Sequence, residues 1–212
     1  MKKEYKSIPP SMEKMETYGF SWMDFVTAIP SPLFVVTSYK SNGKPNACLQ
    51  SWACFSGTDD GFYAILSNVN KRGHMYKSVR ETSAAVLNFP SADVYDRCSD
   101  TIDNNGFDVD EITASGLTLE TATTVNAPRI GDCFLSLESI LLWERDITEG
   151  GSHAVMCFEI TNVCIDESRM DEKYGDSGYL YNVHYPVNPE KFTGKSHDYI
   201  AVLAKLRDMG EY

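Results

Sequence analysis

Long apolar runs are missing from this 212-residue chain: no stretch of about 18 such residues occurs, so no membrane-spanning helix is expected. The opening MKKEYKSIPPSMEKMETYGF has no apolar signal core, which points to the cytoplasm. Cations are scarce, with 19 Lys and Arg against 30 Asp and Glu and a net charge of −11. Such a surface repels nucleic acid and anionic lipid, and neither is expected as a partner. The six cysteines, Cys48, Cys54, Cys98, Cys133, Cys157 and Cys164, form no C-x-x-C pair, so neither a zinc ribbon nor a thioredoxin-like motif is supported. Without a secretion signal they read as reduced core thiols. His184 and His197 have no acidic or cysteine companion at ligand spacing, so no metal site is expected. No G-x-G-x-x-G follows a strand and neither a P-loop nor a G-x-S-x-G is present, which disfavours a Rossmann fold.

What the chain does contain is material for a β-rich core, with 42% hydrophobic and 12% aromatic residues. Residues 1–24, of mixed charge around Pro9-Pro10, read as an arm whose end begins a short helix over 20–27. Residues 33–37, 46–55 and 62–66 read as a three-stranded meander, with Asn42-Gly43 and Asp59-Asp60-Gly61 supplying the turns. Helical spacing covers 74–81 and 95–104, and 84–89 is a strand. An irregular, Thr-rich connection runs from Gly116 to Arg129. The two longest strand signals, 132–146 and 153–166, flank a turn at Glu149-Gly150-Gly151, and a last helical pattern covers 199–209. About six antiparallel strands with connections too short for parallel crossovers predict a mainly β protein: one antiparallel barrel with helical additions. Its expected bounds are 25–185, followed by a tail over 186–212 with a short helix.

Two stretches invite a ligand. Strand 46–55 alternates so that Ala47, Leu49, Ala53 and Phe55 share one face, and Asn46, Cys48, Gln50, Trp52 and Cys54 the other. Either this is a half-exposed edge strand, or its backbone with Asn46 and Gln50 grips the edge of a heteroaromatic ring beside Trp52. The turn Asn70-Lys71-Arg72-Gly73-His74 is cationic in an acidic chain and runs into a helix start, whose free N–H groups favour an anion. A solvated basic turn is the plainer reading. A flat aromatic ligand with a phosphate tail would use both stretches. His153, at a strand start after Gly150-Gly151, is structural unless it faces a cofactor, where it would donate a hydrogen bond or shuttle a proton. Tyr181 and Tyr185 would cap a flat ligand or, more commonly, sit at a surface or dimer contact.

The chain also resembles the flavin reductase-like family with the FMN-binding split-barrel fold, flavoredoxins in particular. The likeness rests on Ala28-Ile29-Pro30-Ser31-Pro32, Asn46 with Trp52, Asn70-Lys71-Arg72, Val86-Leu87-Asn88-Phe89, Ser115-Gly116-Leu117-Thr118, Ala127-Pro128-Arg129-Ile130 and Gly151-Ser152-His153, in that order. The resemblance implies a Greek-key-like split β-barrel and a homodimer with FMN at the subunit interface. It further implies that Asn46, Ala47, Cys48, Leu49, Gln50, Ser51 and Trp52, with Lys71, Arg72 and His74, hold ring and phosphate, and that His153 lies near the isoalloxazine. Members pass electrons through bound FMN, from NAD(P)H or a protein donor, or use NAD(P)H to reduce free flavin. One departure stands out: the family often has a basic residue before Gly-Leu-Thr, whereas this chain reads Asp108-Val109-Asp110-Glu111. That segment implies weaker flavin binding, a base from elsewhere, or a barrel that has lost its flavin. A thiol-based alternative would use Cys48 and Cys54 and needs them exposed and acidic.

Overall fold

Ser21 ends the N-terminal arm by starting the first helix, α1 (Trp22–Thr27). Its hydroxyl accepts from Met23 N–H, and the Asp24 carboxylate accepts from Ser21 N–H, a reciprocal cap. Phe25 on α1 is buried against Met12, with Ile8, Phe20 and Val26 around them, so the arm is packed down near its root. The computed structural model describes residues 2–13, 20–171, 179–186 and 199–204.

The remaining elements, in chain order, are β1 (Ser31–Pro32), β2 (Phe34–Tyr39), β3 (Pro45–Gln50), β4 (Ala53–Thr58), β5 (Gly61–Asn70), α2 (His74–Thr82), β6 (Ala84–Phe89) and α3 (Tyr95–Asp100). They continue as α4 (Glu111–Ala114), β7 (Leu119–Thr121), β8 (Pro128–Ile130), β9 (Leu135–Asp146), β10 (His153–Ile165), α5 (Ser168–Asp171), β11 (Tyr179–Pro186) and β12 (Tyr199–Ala204). All strand pairs among these residues are antiparallel, and the mainly β expectation holds. The main sheet has seven strands in the order β3-β2-β6-β9-β10-β5-β4, more than the six expected for the whole chain.

The edges of that sheet are consecutive in sequence. Laid flat, seven strands put their edges about 29 Å apart. The link from Gln50 to Ala53 spans at most about 11 Å, so the sheet must curl. β3 and β4 do not pair with each other, and the barrel stays split along that seam. Register shifts in β9–β10 and β5–β10 supply the coiling, and Asn68, at φ 58, takes up one of them.

Inside the curl Phe34, Val36, Leu66, Leu87, Met156 and Phe158 pack with Met75 and Val79 of α2. A second cluster on the other side joins Val35, Ala47, Cys98, Ile112, Leu117 and Ile130. Asn88 stitches the two layers. Its amide nitrogen donates to Val35 O and Thr37 Oγ1, and its oxygen accepts from Ile130 N–H and Ser136 Oγ.

Three expectations are corrected. Residues 46–55 are not one strand: the chain turns at Trp52, in the left-handed region at φ 52, and the meander becomes two hairpins at opposite edges. The faces change with it, since Ala47 and Leu49 pack in the second cluster while Cys48, Ala53 and Phe55 pack in the first. The Thr-rich connection contains the β7–β8 pair. Instead of beginning a helix, Tyr199–Ala204 is strand β12, paired with β11, and 205–209 lie outside the described residues. The run of β-favouring residues Tyr199, Ile200 and Val202 suits that pairing, with β11 joined in turn to β1.

Candidate functional site

Asn70, the last residue of β5, shapes the basic turn. Its side-chain oxygen accepts from Arg72 N–H at 2.9 Å and its carbonyl from Gly73 N–H at 3.1 Å. Lys71 N–H donates to Ser152 O at 2.9 Å, and Asn70 pairs with His153 across β5 and β10. The turn and Gly151-Ser152-His153, far apart in sequence, are thus side by side. His153 is half-buried, with Nδ1 3.0 Å from Ser152 Oγ. Helix α2 starts at His74 behind Gly73, and no side chain among the described residues caps it, so its first N–H groups and positive dipole end face no capping oxygen there.

The two cations of the turn are not equivalent. Lys71 Nζ is 2.6 Å from Asp146 Oδ1, and the other carboxylate oxygen accepts from Gly150 N–H at 3.0 Å. The Lys71 ammonium, ahead of the Gly150 N–H, holds the Asp146 carboxyl below its ordinary value. Arg72 is exposed and makes no ion pair among the described residues.

A buried carboxylate connects this turn to β3. Glu111 Oε2 accepts from Ala47 N–H at 2.9 Å, on the side of β3 that faces away from β2. Its Oε1 accepts from Lys40 Nζ at 2.8 Å and lies 3.5 Å from His74 Nδ1. Lys40 also donates to the carbonyls of Gly106 and Val109, and both charged side chains are 1% exposed. By strand alternation the N–H and C=O of Leu49 also point away from β2, along the open edge.

The segment 108–111 is therefore not a patch of free acid. Glu111 is matched by Lys40, Asp110 caps α4 through Ile112 N–H and Thr113 N–H, and Asp108 holds Asn42. A cation does stand beside this segment, supplied by Lys40 directly after β2. Sequence reasoning missed Lys40 and Glu111 because their pairing spans 71 residues; the one available hint was a Lys directly before the Asn42-Gly43 turn.

The end of β3 and the residues after it go elsewhere. Ser51 is buried and accepts from Asn182 Nδ2 at 3.3 Å. Trp52 O accepts from both N–H and Oγ of Ser67, three residues before Asn70, and the indole lies 5.1 Å from the Phe20 ring. Leu49 and Gln50 are half-buried. Asn46 is 2% exposed, and its Nδ2 has no hydrogen-bond partner among the described residues. Cys48 faces the core, its thiol pushed up to about 11 by burial and then by Glu111. That is the reverse of what the thiol alternative requires of it. Tyr181 is half-buried and lines an apolar cavity of about 220 Å³ with Leu33, Phe55, Phe89, Phe134 and Tyr179. The cavity includes Leu135, at the end of β9 away from Asp146, and none of the residues around the basic turn. Side-chain positions of Tyr185 and His184, and His197 as a whole, lie outside the described residues.

Residues 26–185 match the family model described as flavin reductase like domain. No curated protein sequence matches the chain. Among solved structures, the flavoredoxin of Desulfovibrio vulgaris (Miyazaki F) superposes with a TM-score of 0.68 at 22% identity, over 92% of this chain and 96% of that one. Nitrilotriacetate monooxygenase component B of Bacillus cereus gives 0.69 at 16% identity over 100% of both chains. An FMN-binding protein of Thermus thermophilus gives 0.63 at 16% over 86% and 91%. At these identities the likeness carries the fold.

Proposed function

The chain belongs to the flavin reductase-like family, and from that premise we propose that it binds FMN and works as an oxidoreductase through it. The observation that carries the reading is the convergence of an exposed Arg72, the uncapped start of α2 and the His153 strand at one turn, tied by Glu111 to the open edge of β3. These groups fit the ligand. A phosphate suits the guanidinium and the helix N–H groups. A heteroaromatic edge suits the outward N–H and C=O of Leu49.

Bound FMN supplies hydride and single-electron transfer at its isoalloxazine. In this reading the chain does the rest. Arg72 and the α2 start hold the phosphate, the β3 edge orients the ring, Glu111 with Lys40 holds β3 at Ala47, and His153 is the group available to donate a proton. A second copy of the chain completes the site, and NAD(P)H or a protein donor supplies the electrons.

Replacing Arg72 by Glu is expected to weaken FMN binding about tenfold or more with the fold intact, read by flavin fluorescence titration beside circular dichroism. Unchanged affinity removes Arg72 from the site. Steady-state NADH or NADPH oxidation that depends on added FMN identifies flavin as substrate. Flavin that co-purifies without such turnover identifies an electron carrier.

A further inference from the structure

Asp146 is the carboxylate paired with the lysine of the basic turn. Its oxygens take Lys71 Nζ at 2.6 Å and Gly150 N–H at 3.0 Å, a cation and a backbone donor, which is what a phosphate oxygen would otherwise take there. The geometry is held from both sides. Lys71 is anchored through its N–H to Ser152 O, and Asp146 ends β9 opposite Ala154 on β10. An anion approaching Arg72 and the start of α2 thus meets a lysine already neutralised and a negative charge next to it.

Resting on the FMN reading above, we infer that Asp146 is a specificity-determining residue of the flavin site: by occupying Lys71 it reduces the advantage that a 5′-phosphate gives FMN over riboflavin. The isoalloxazine contacts are untouched by this device, because they belong to other elements. Its consequence is a 5′-phosphate that contributes less to flavin binding than two free cations would give it. The pair is 25% and 35% exposed at its side chains, so water screens it and the effect is moderate.

The test is the ratio of riboflavin to FMN dissociation constants, measured by fluorescence titration on the full chain at low salt. Asp146→Asn keeps the shape of the side chain and an oxygen for Gly150 N–H, and removes the charge. It is expected to raise the ratio about threefold to tenfold, by tightening FMN while riboflavin stays unchanged. Adding Lys71→Met to Asp146→Asn should cancel the gain, since the freed ammonium is its source. A ratio unmoved by Asp146→Asn overturns the inference and leaves the FMN reading standing. The same holds if both flavins shift together, which is the signature of a purely structural ion pair. A wild-type protein that retains neither flavin overturns the FMN reading, and this inference with it.

Discussion

Glu111 shows how much one side chain settles at the residue scale. It is fully enclosed, with Lys40 Nζ and Ala47 N–H on its oxygens and His74 nearby, as a buried carboxylate requires. Removing it alone leaves the Lys40 ammonium uncompensated in the interior. Glu111→Leu is expected to cost about 3–5 kcal/mol in urea denaturation, and adding Lys40→Met should recover most of that loss. A small cost for the single variant would mean that water reaches the pair. The sequence displayed this residue only as the last of several acids, and its partner stood beyond any local pattern. Cys48 makes the complementary point. Its presence in the candidate strand was plain, but its orientation depends on which way the chain turns four residues later, at Trp52.

At the scale of elements, the long strands, α1, α2 and β6 were legible, because they are apolar or periodic runs set off by Gly, Asn, Pro or Ser. The break in 46–55 was not. Trp seldom marks a left-handed position, and the bonds that secure it come from Ser67 on another strand. The β7–β8 loop was also opaque, since its anchor is distant. Glu138, buried on β9, accepts from Thr123 N–H, Thr124 N–H and Thr124 Oγ1. Burial alone would raise this carboxyl, but those hydrogen bonds, with one from Asn162, bring it below its ordinary 4.5. The folded protein therefore binds this proton more weakly than the unfolded chain does. The stability Glu138 contributes is complete above that value and is lost as pH falls through the lower, folded one. Glu138→Gln should flatten the acid limb of a stability-versus-pH curve, and an unchanged limb would assign the acid sensitivity to other carboxylates.

For the whole molecule, the family and the antiparallel barrel could be read from ordered fragments, and a homodimer only as what that resemblance implies. Ile140, Leu142 and Trp143 stand 40–47% exposed along β9, more apolar surface on one strand than a solitary domain usually shows. We expect them to meet a second copy. Leu142→Asp with Trp143→Asp should halve the mass seen by sedimentation equilibrium, while a wild-type protein that is already monomeric would refute the assignment.

The strand order has a kinetic side as well. β9 and β10 form a long hairpin closed by a short turn, so their pairing needs little chain to be ordered first. Every other partner in the main sheet reaches that hairpin from more than 40 residues away. Folding should start at β9–β10, which pairs more residues than the other two hairpins of the sheet, β2–β3 and β4–β5, add β5–β4 on one flank and β6–β2–β3 on the other, and bring the two edges together last, around residues 51 and 52. Substitutions at Trp143 or Cys157 would then slow folding, whereas those at Ala47 would mainly speed unfolding. Equal effects on both rates at all three positions would rule out this sequence of events. The seam at Trp52, where ring and chain are expected to meet, would then be the last part of the barrel to form and the first to open.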